Sequence, residues 1–268
     1  MNPSMRRASV SALIALTAPI AQAQVEPAWQ FQGTLYLYLP SMGGQSAFPP
    51  SNGGSAISLD AGTILDNLKF TLMGSLEARK GPWGVFTDAI YINLGNSKSA
   101  TRALNVGGVL PADVTADVDY DLKGWLWTVA GTYRAVAKPN YTLDVFAGTR
   151  MLDIDQHLRW QLGGNVGPLP LADRSGDRSS GLRNWDAIVG TKGRAAFGDG
   201  ARWFIPYYID LGAGESKFTW QAMAGVGYTF AWGDVIGAWR YVDYEMKSGS
   251  NLQNLTFSGP AVAAVFRW

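Results

Sequence analysis

From Trp29 to Leu39 the side chains alternate. Trp29, Phe31, Leu35, Leu37 and Leu39 fall on one face of an extended segment, and Gln30, Gln32, Thr34, Tyr36 and Tyr38 on the other. Further on, Leu68, Phe70, Leu72, Leu76 and Ala78 oppose Lys69, Thr71, Ser75, Glu77 and Arg79, and Trp185, Ala187, Val189 and Thr191 oppose Asp186, Lys192 and Arg194. A period of two marks a pleated sheet with unlike faces, so the chain reads as all-β. Beyond residue 23 no run of 18 apolar residues occurs, which argues against membrane helices.

Ten segments carry this pattern, at 28–39, 68–80, 83–96, 115–135, 141–158, 183–197, 202–213, 217–230, 234–247 and 254–268. The connections between them alternate in length. Lys80-Gly81-Pro82, Lys138-Pro139-Asn140, Gly198-Asp199-Gly200 and Trp232-Gly233-Asp234 read as tight turns. Residues 40–67, 97–114 and 159–182 read as long Gly, Ser, Pro and Asn-rich loops, and 212–216 and 247–253 as shorter ones. Short turns at one end and longer loops at the other describe a barrel that crosses a membrane, and an even strand count suits it. Within 40–67, Asp60 stands where it can cap one helical turn.

Composition favours a membrane barrel over a soluble sandwich. Charged residues make up 16% and aromatic residues 12%, with 11 Trp, 11 Tyr and 11 Phe. About 25% charge is usual in soluble domains. Trp29, Trp83, Tyr133, Tyr141, Phe197, Trp203, Phe230, Trp232 and Trp268 sit at the short-turn ends. Tyr38, Tyr91, Trp160, Trp185, Phe218, Trp220, Tyr241 and Phe257 lie toward the long-loop ends. Two such girdles are expected where amphipathic rings meet two membrane interfaces. The fold expected is a closed, antiparallel, up-and-down transmembrane β-barrel of about ten strands, with eight and twelve as alternatives. Only closure satisfies every backbone group of a sheet in lipid. Asp88, sharing parity with Phe86, Ile90 and Ile92, and Asp153 and Asp155, opposed to Asp144 and Arg150, read as bulges or as exits from the lipid zone.

Residues 1–23 are expected to be a signal peptide, with Arg6 and Arg7, an apolar run and the cleavage site Ala21-Gln22-Ala23. Its removal leaves 20 basic against 21 acidic residues in 24–268. Such a balance offers no basic field to attract nucleic acid. No cysteine is present, so neither disulfides nor a cysteine-linked lipid contribute.

The final residues Ala264-Val265-Phe266-Arg267-Trp268 resemble the C-terminal assembly signal of bacterial outer-membrane proteins, with Phe266 and Trp268 as its aromatic positions. Ile64-Leu65-Asp66-Asn67-Leu68, Glu77-Ala78-Arg79-Lys80-Gly81, Trp220-Gln221-Ala222, Ala224-Gly225-Val226-Gly227-Tyr228 and Trp239-Arg240-Tyr241 look like a group of proteobacterial barrel proteins of unassigned function, in the broad OmpA/OmpW-like small-barrel class. The resemblance implies the outer membrane of a Gram-negative bacterium. It also implies the barrel-assembly machinery, periplasmic chaperones, outer-membrane lipid and lipopolysaccharide as partners. OmpW-like barrels have eight strands, and ten departs from that. The resemblance carries no catalytic residue, ligand or cofactor.

The face alternation places Lys69, Glu77, Arg79, Lys123, Asp144, Arg150, Asp186, Lys192, Arg194, Asp210, Gln221 and Arg240 in the lumen. Mixed signs in a narrow lumen pair across it, because an unpaired buried charge costs several kcal/mol. Eight-stranded interiors are just filled by side chains, and ten lies near that limit. The expectation is therefore a narrow, charge-filled lumen with a structural or surface role and at most slow permeation. The alternative is a porin-like small-solute channel.

Chemistry-bearing motifs are sparse. His157 is the single histidine, with Asp153 and Asp155 at alternate positions and Ser179 and Ser180 beyond. A rim hydrolase like the ten-stranded omptin proteases is the remote reading. A general base needs a positioned partner and not just a sequence neighbour, so no catalytic residue is assigned. Asp113, Asp117, Asp119 and Asp121 run toward Lys123 on one face and read as a lumen ladder rather than a cation loop, and no metal site is assigned. Gly225, Gly227 and Gly237 precede no helix, which rules out a phosphate loop.

Overall fold

In the computed structural model the described residues are 28–46, 55–106, 110–166, 169–248, 250 and 252–268. The expected signal peptide lies outside them. Twelve strands and one short helix follow in order: β1 (Trp29–Tyr38), β2 (Ser41–Ser46), β3 (Ser55–Leu59), α1 (Ala61–Asp66), β4 (Leu68–Lys80), β5 (Trp83–Val106), β6 (Leu110–Lys138), β7 (Tyr141–Val166), β8 (Leu169–Phe197), β9 (Trp203–Gly214), β10 (Phe218–Thr229), β11 (Asp234–Glu245) and β12 (Leu252–Arg267).

Ten of these strands, β1 and β4 to β12, close into an antiparallel barrel, because β1 pairs with β4 on one side and with β12 on the other. The seam runs from Gln32 opposite Arg267 to Tyr38 opposite Ala261. The chain then turns at Leu39-Pro40, and β2 takes over the same edge of β12, from Ser41 opposite Ser258 upward. Gly259 is required there, since a Cβ would stand 2.2 Å from the Leu39 carbonyl oxygen. The short turns use glycine in the left-handed region, as at Gly81 (φ 60°) and Gly198 (φ 77°).

The expected helical turn is present as α1. The Asp60 carboxylate accepts hydrogen bonds from the Thr63 amide (3.0 Å) and the Thr63 hydroxyl (2.7 Å). The helix delivers Ile64 into the barrel interior, where it is buried.

Two expected loops are strand instead. β5 and β6 stay paired from Trp83 opposite Tyr133 to Val106 opposite Leu110, and β7 and β8 pair to Val166 opposite Leu169. Residues 97–106, 110–114, 159–166 and 169–182 therefore extend two hairpins beyond the barrel wall. Their Gly, Ser and Asn content does not prevent this, because ladder bonds are made by the backbone. Asp88 is not a bulge either, because the β5 ladder is unbroken on both sides of it. True register shifts lie between Leu68 and Phe70, Arg134 and Val136, Leu162 and Gly164, and Leu252 and Asn254.

The barrel wall is apolar outside. Leu35, Leu76, Val85, Val145, Val189, Leu211 and Val262 are exposed. A soluble protein of this size would bury most of such a set, so the surface suits lipid.

Candidate functional site: the barrel lumen

Aromatic rings bound the apolar band at two levels. At the short-turn end, Trp203, Tyr228, Phe230, Trp232 and Phe266 touch in sequence, with centroids 4.9, 4.8, 5.8 and 5.5 Å apart. Trp29, Phe31 and Trp268 continue the rim (6.2 and 6.1 Å), and Trp83 packs on Tyr133 at 4.8 Å. Tyr141 stacks on Tyr207 at 6.2 Å. At the other level Tyr91 meets Trp125 (4.6 Å), Trp127 meets Trp185 (6.1 Å), and Trp220 meets Tyr241 (4.7 Å). Tyr38 and Phe257 depart from the expected outer girdle. Tyr38 is buried, and both belong to the interior apolar cluster, because they share the inward parity of Tyr36 and of Leu255.

Inside, the lumen is layered. Toward the long-loop end Met73, Leu94, Leu122, Leu126, Leu152 and Ile64 of α1 form one buried apolar cluster with Tyr244 and Leu255. A lumen charged throughout is thus not what the residues build. The odd positions of β4 and the even positions of β5, β6 and β7 change from polar to apolar along the strand.

Below that cluster lie two buried polar networks. Arg150 and Asp210 form an ion pair whose side chains are both 0% exposed. Arg150 Nε also donates to the Thr128 hydroxyl at 3.4 Å. Asp186, opposite Arg150 in the ladder, accepts from the Ser216 amide at 2.9 Å. In the second network, Arg240 donates to Asp88 (2.9 Å), Gln221 (3.1 Å) and the Tyr36 hydroxyl (3.1 Å). Tyr36 donates in turn to Asp88 at 2.8 Å.

The short-turn end holds the third layer. Arg79 donates to Glu77 (2.7 Å) and to Asp144, and Arg134 also donates to Asp144. Lys192 pairs with Glu77. Asp234, buried, accepts from the Thr229 hydroxyl (2.8 Å), from Arg194 (3.2 Å) and from Arg267.

Ten of the twelve expected lumen residues therefore face inward: Glu77, Arg79, Asp144, Arg150, Asp186, Lys192, Arg194, Asp210, Gln221 and Arg240. Lys69 and Lys123 do not. The extra residue between Leu68 and Phe70 keeps Leu68 inside and turns Lys69 out, where it pairs with Asp121 across Gly95. Lys123 shares the parity of exposed Trp125 and Trp127. Asp117, Asp119 and Asp121 share that outward parity too, so the acidic run is no lumen ladder. The Lys69 ammonium, by its hydrogen bond, holds the Asp121 carboxyl below the usual carboxylate range. Asp153 lies opposite Trp125 in the ladder and pairs with Arg183.

Sequence reasoning missed Tyr36, Asp88, Arg134, Asp234 and Arg267. Asp234 was hidden in a turn and Arg134 beside a register shift, but the inward parity of Asp88 with Phe86 was open to view. His157 shares the outward parity of Asp153, and its Nε2 accepts from Arg159 Nε at 3.0 Å. Among the described residues no group of three or more possible metal ligands converges.

Comparison with solved structures finds the outer membrane protease OmpT from Escherichia coli, with TM-score 0.51 and 11% identity over 90% of this chain and 97% of that one. It also finds the translocator domain of the autotransporter NalP from Neisseria meningitidis, with TM-score 0.37 and 14% identity over 92% and 90%. The attachment invasion locus protein Ail of Yersinia pestis follows, with TM-score 0.31 and 11% identity over 90% and 99%. No family model matches the chain, and no curated protein matches it. The identities speak to fold alone. The closed ladder and the apolar outer wall, with the likeness in fold to the first of these structures, define the class as a ten-stranded β-barrel of the outer-membrane type.

Proposed function

We propose that the protein is an integral barrel of the Gram-negative outer membrane, with a structural or surface-interaction role and at most slow passage of small solutes. One observation carries this reading: the apolar cluster has a centre of residues at most 9% exposed, and the Arg150–Asp210 side chains below it are both 0% exposed, so described side chains pack the lumen at that level. A ten-stranded interior is near the size that side chains fill. The girdles and the exposed apolar wall support residence in lipid. Exposed Lys123, Arg159 and Arg183, beyond the Trp125 and Trp185 level, offer cations to lipopolysaccharide phosphates. Phe266 and Trp268 supply the assembly signal read by the barrel-assembly machinery, with periplasmic chaperones as carriers of the exported chain. No catalytic role is proposed: the His157 lone pair is engaged by Arg159, and the ring points away from the lumen.

Planar-bilayer recording tests this. Reconstituted protein should give no steady single-channel steps, and liposomes containing it should swell in small sugars no faster than empty ones. Stable steps of uniform size would establish the porin-like alternative, which the cavity at the short-turn end favours.

A further inference from the structure

That cavity measures about 260 Å³ and opens at the short-turn end, since its lining reaches Gln32, Thr142 and Arg267 next to the turns and seam. Its walls are unlike. Met223, Ile236, Ala238, Ala261, Ala263 and Val265, from β10 to β12, make an apolar patch on one wall, with Gln221 and Arg240 beyond it at one end and Asp234 and Arg267 at the other. The facing wall carries Glu77, Arg134, Asp144, Lys192 and Arg194, with the rings of Phe86 and Phe204.

Among the described residues, the charges around the cavity do not balance. Each of three carboxylates is shared by two bases: Glu77 by Arg79 and Lys192, Asp144 by Arg79 and Arg134, Asp234 by Arg194 and Arg267. Five bases thus meet three acids, which leaves two positive charges over. The Arg240–Asp88 pair, which also lines the cavity, adds none. Lys192 and Arg194 are also the bases held on rings, with Nζ 4.2 Å from the Phe86 centroid and Cζ 3.8 Å from that of Phe204. Their side chains keep 18% and 28% exposure, so a solute in the cavity can reach them. Excess positive charge beside apolar and aromatic walls attracts anions more strongly than it would in open water.

We propose that this cavity binds a small amphipathic organic anion, an aromatic or short-chain monocarboxylate. The carboxylate sits at Lys192 and Arg194, and the apolar body lies on the wall of Met223, Ile236 and Ala263. The size is adequate, since an apolar cavity of about 150 Å³ already takes benzene. The site is a recess entered from the short-turn side, and binding there needs no passage through the barrel. It can therefore fail in a barrel that does not conduct, and hold in one that does.

Calorimetry on the purified barrel in uncharged maltoside micelles tests it, with benzoate, hexanoate, benzyl alcohol and inorganic phosphate as probes. Benzoate or hexanoate should bind at one saturable site, at least tenfold more tightly than either benzyl alcohol or phosphate. The Lys192→Met/Arg194→Met double variant should weaken that binding at least tenfold. Ala263→Phe, which fills the cavity from the apolar wall and leaves every ion pair in place, should abolish it. Gel mobility of unboiled samples verifies that each variant is folded. The proposal is overturned if neither carboxylate binds, if phosphate binds as tightly as benzoate, or if folded Ala263→Phe binds benzoate like the parent.

Discussion

Phe31 and Trp268 exchange both backbone hydrogen bonds, 2.9 Å from the Phe31 amide and 3.1 Å from the Trp268 amide, and their rings stack 6.1 Å apart. The Trp268 ring also lies over Gly33, where a Cβ would stand 3.3 Å from it. The last residue thereby completes the seam between β12 and β1. Trp268→Ala should keep the backbone pair but lose the ring contacts, worth about 0.5–1.5 kcal/mol for one aromatic pair. Refolding into liposomes, followed by the mobility of unboiled samples in urea, should show a lower midpoint. Deleting Trp268 should lower the yield of folded barrel further.

Arg150 and Asp210 are fully buried, so each depends on the other. Asp210→Leu alone strands a guanidinium and should cost about 3–5 kcal/mol, whereas Arg150→Met with Asp210→Leu should recover much of that loss. The non-additivity is read from a double-mutant cycle of urea midpoints. A double-variant loss equal to the sum of the Arg150→Met and Asp210→Leu losses would mean that the pair is not coupled.

Val189 and Leu211 face each other across β8 and β9 on the exposed apolar wall. Arginine at either position should destabilise the barrel in lipid by about 2–4 kcal/mol if it lies near the midplane. Lys123→Ala, beyond the upper ring of aromatics, should leave the midpoint within about 0.5 kcal/mol of the parent. Comparable effects at the two levels would place the membrane elsewhere.

Hydrogen bonds from the Thr63 hydroxyl and amide hold the Asp60 carboxyl below the usual carboxylate range. A depressed value means that the cap contributes above the unfolded-chain pKa of about 3.9, and that its contribution is lost as pH falls through the lower folded value. Amide exchange at Thr63 and Ile64, corrected for the intrinsic rate, should therefore lose protection below pH of about 4. Asp60→Asn, a good uncharged cap, should remove that pH dependence.

Much of this architecture was legible in the chain because a membrane barrel has few solutions. The period of two, the four tight turns and the girdles at Trp29, Trp83, Trp203 and Trp232 follow from backbone satisfaction in lipid and from ring amphipathicity. What escaped has physical causes. A single extra residue at Lys69 reverses a face, and nothing in Leu68-Lys69-Phe70 marks it. Lys123 and Asp121 kept their alternation, but there the polar face is the outer one while Leu122 packs inside, the reverse of the wall below, so polarity no longer tells inside from outside. Residues 97–106 and 169–182 were missed as strand because their composition is that of loops, whereas their backbones pair with β6 and β7. Asp88 was misjudged for the opposite reason, because an inward face that mixes Phe86, Ile90 and a carboxylate looks like an error until Arg240 and Tyr36 are seen to meet it.

In the proposed function the lumen is open to water at its short-turn end and sealed by the apolar cluster beyond. The chain has no cysteine, so single cysteines report cleanly. Ala263→Cys lines the cavity and Leu126→Cys lies within the sealed layer. A charged, membrane-impermeant maleimide applied to the folded barrel in liposomes should label Ala263→Cys and leave Leu126→Cys unmodified until the protein is unfolded. Labelling of Leu126→Cys in the folded barrel, at a rate near that of Ala263→Cys, would contradict the seal and reveal a continuous water path.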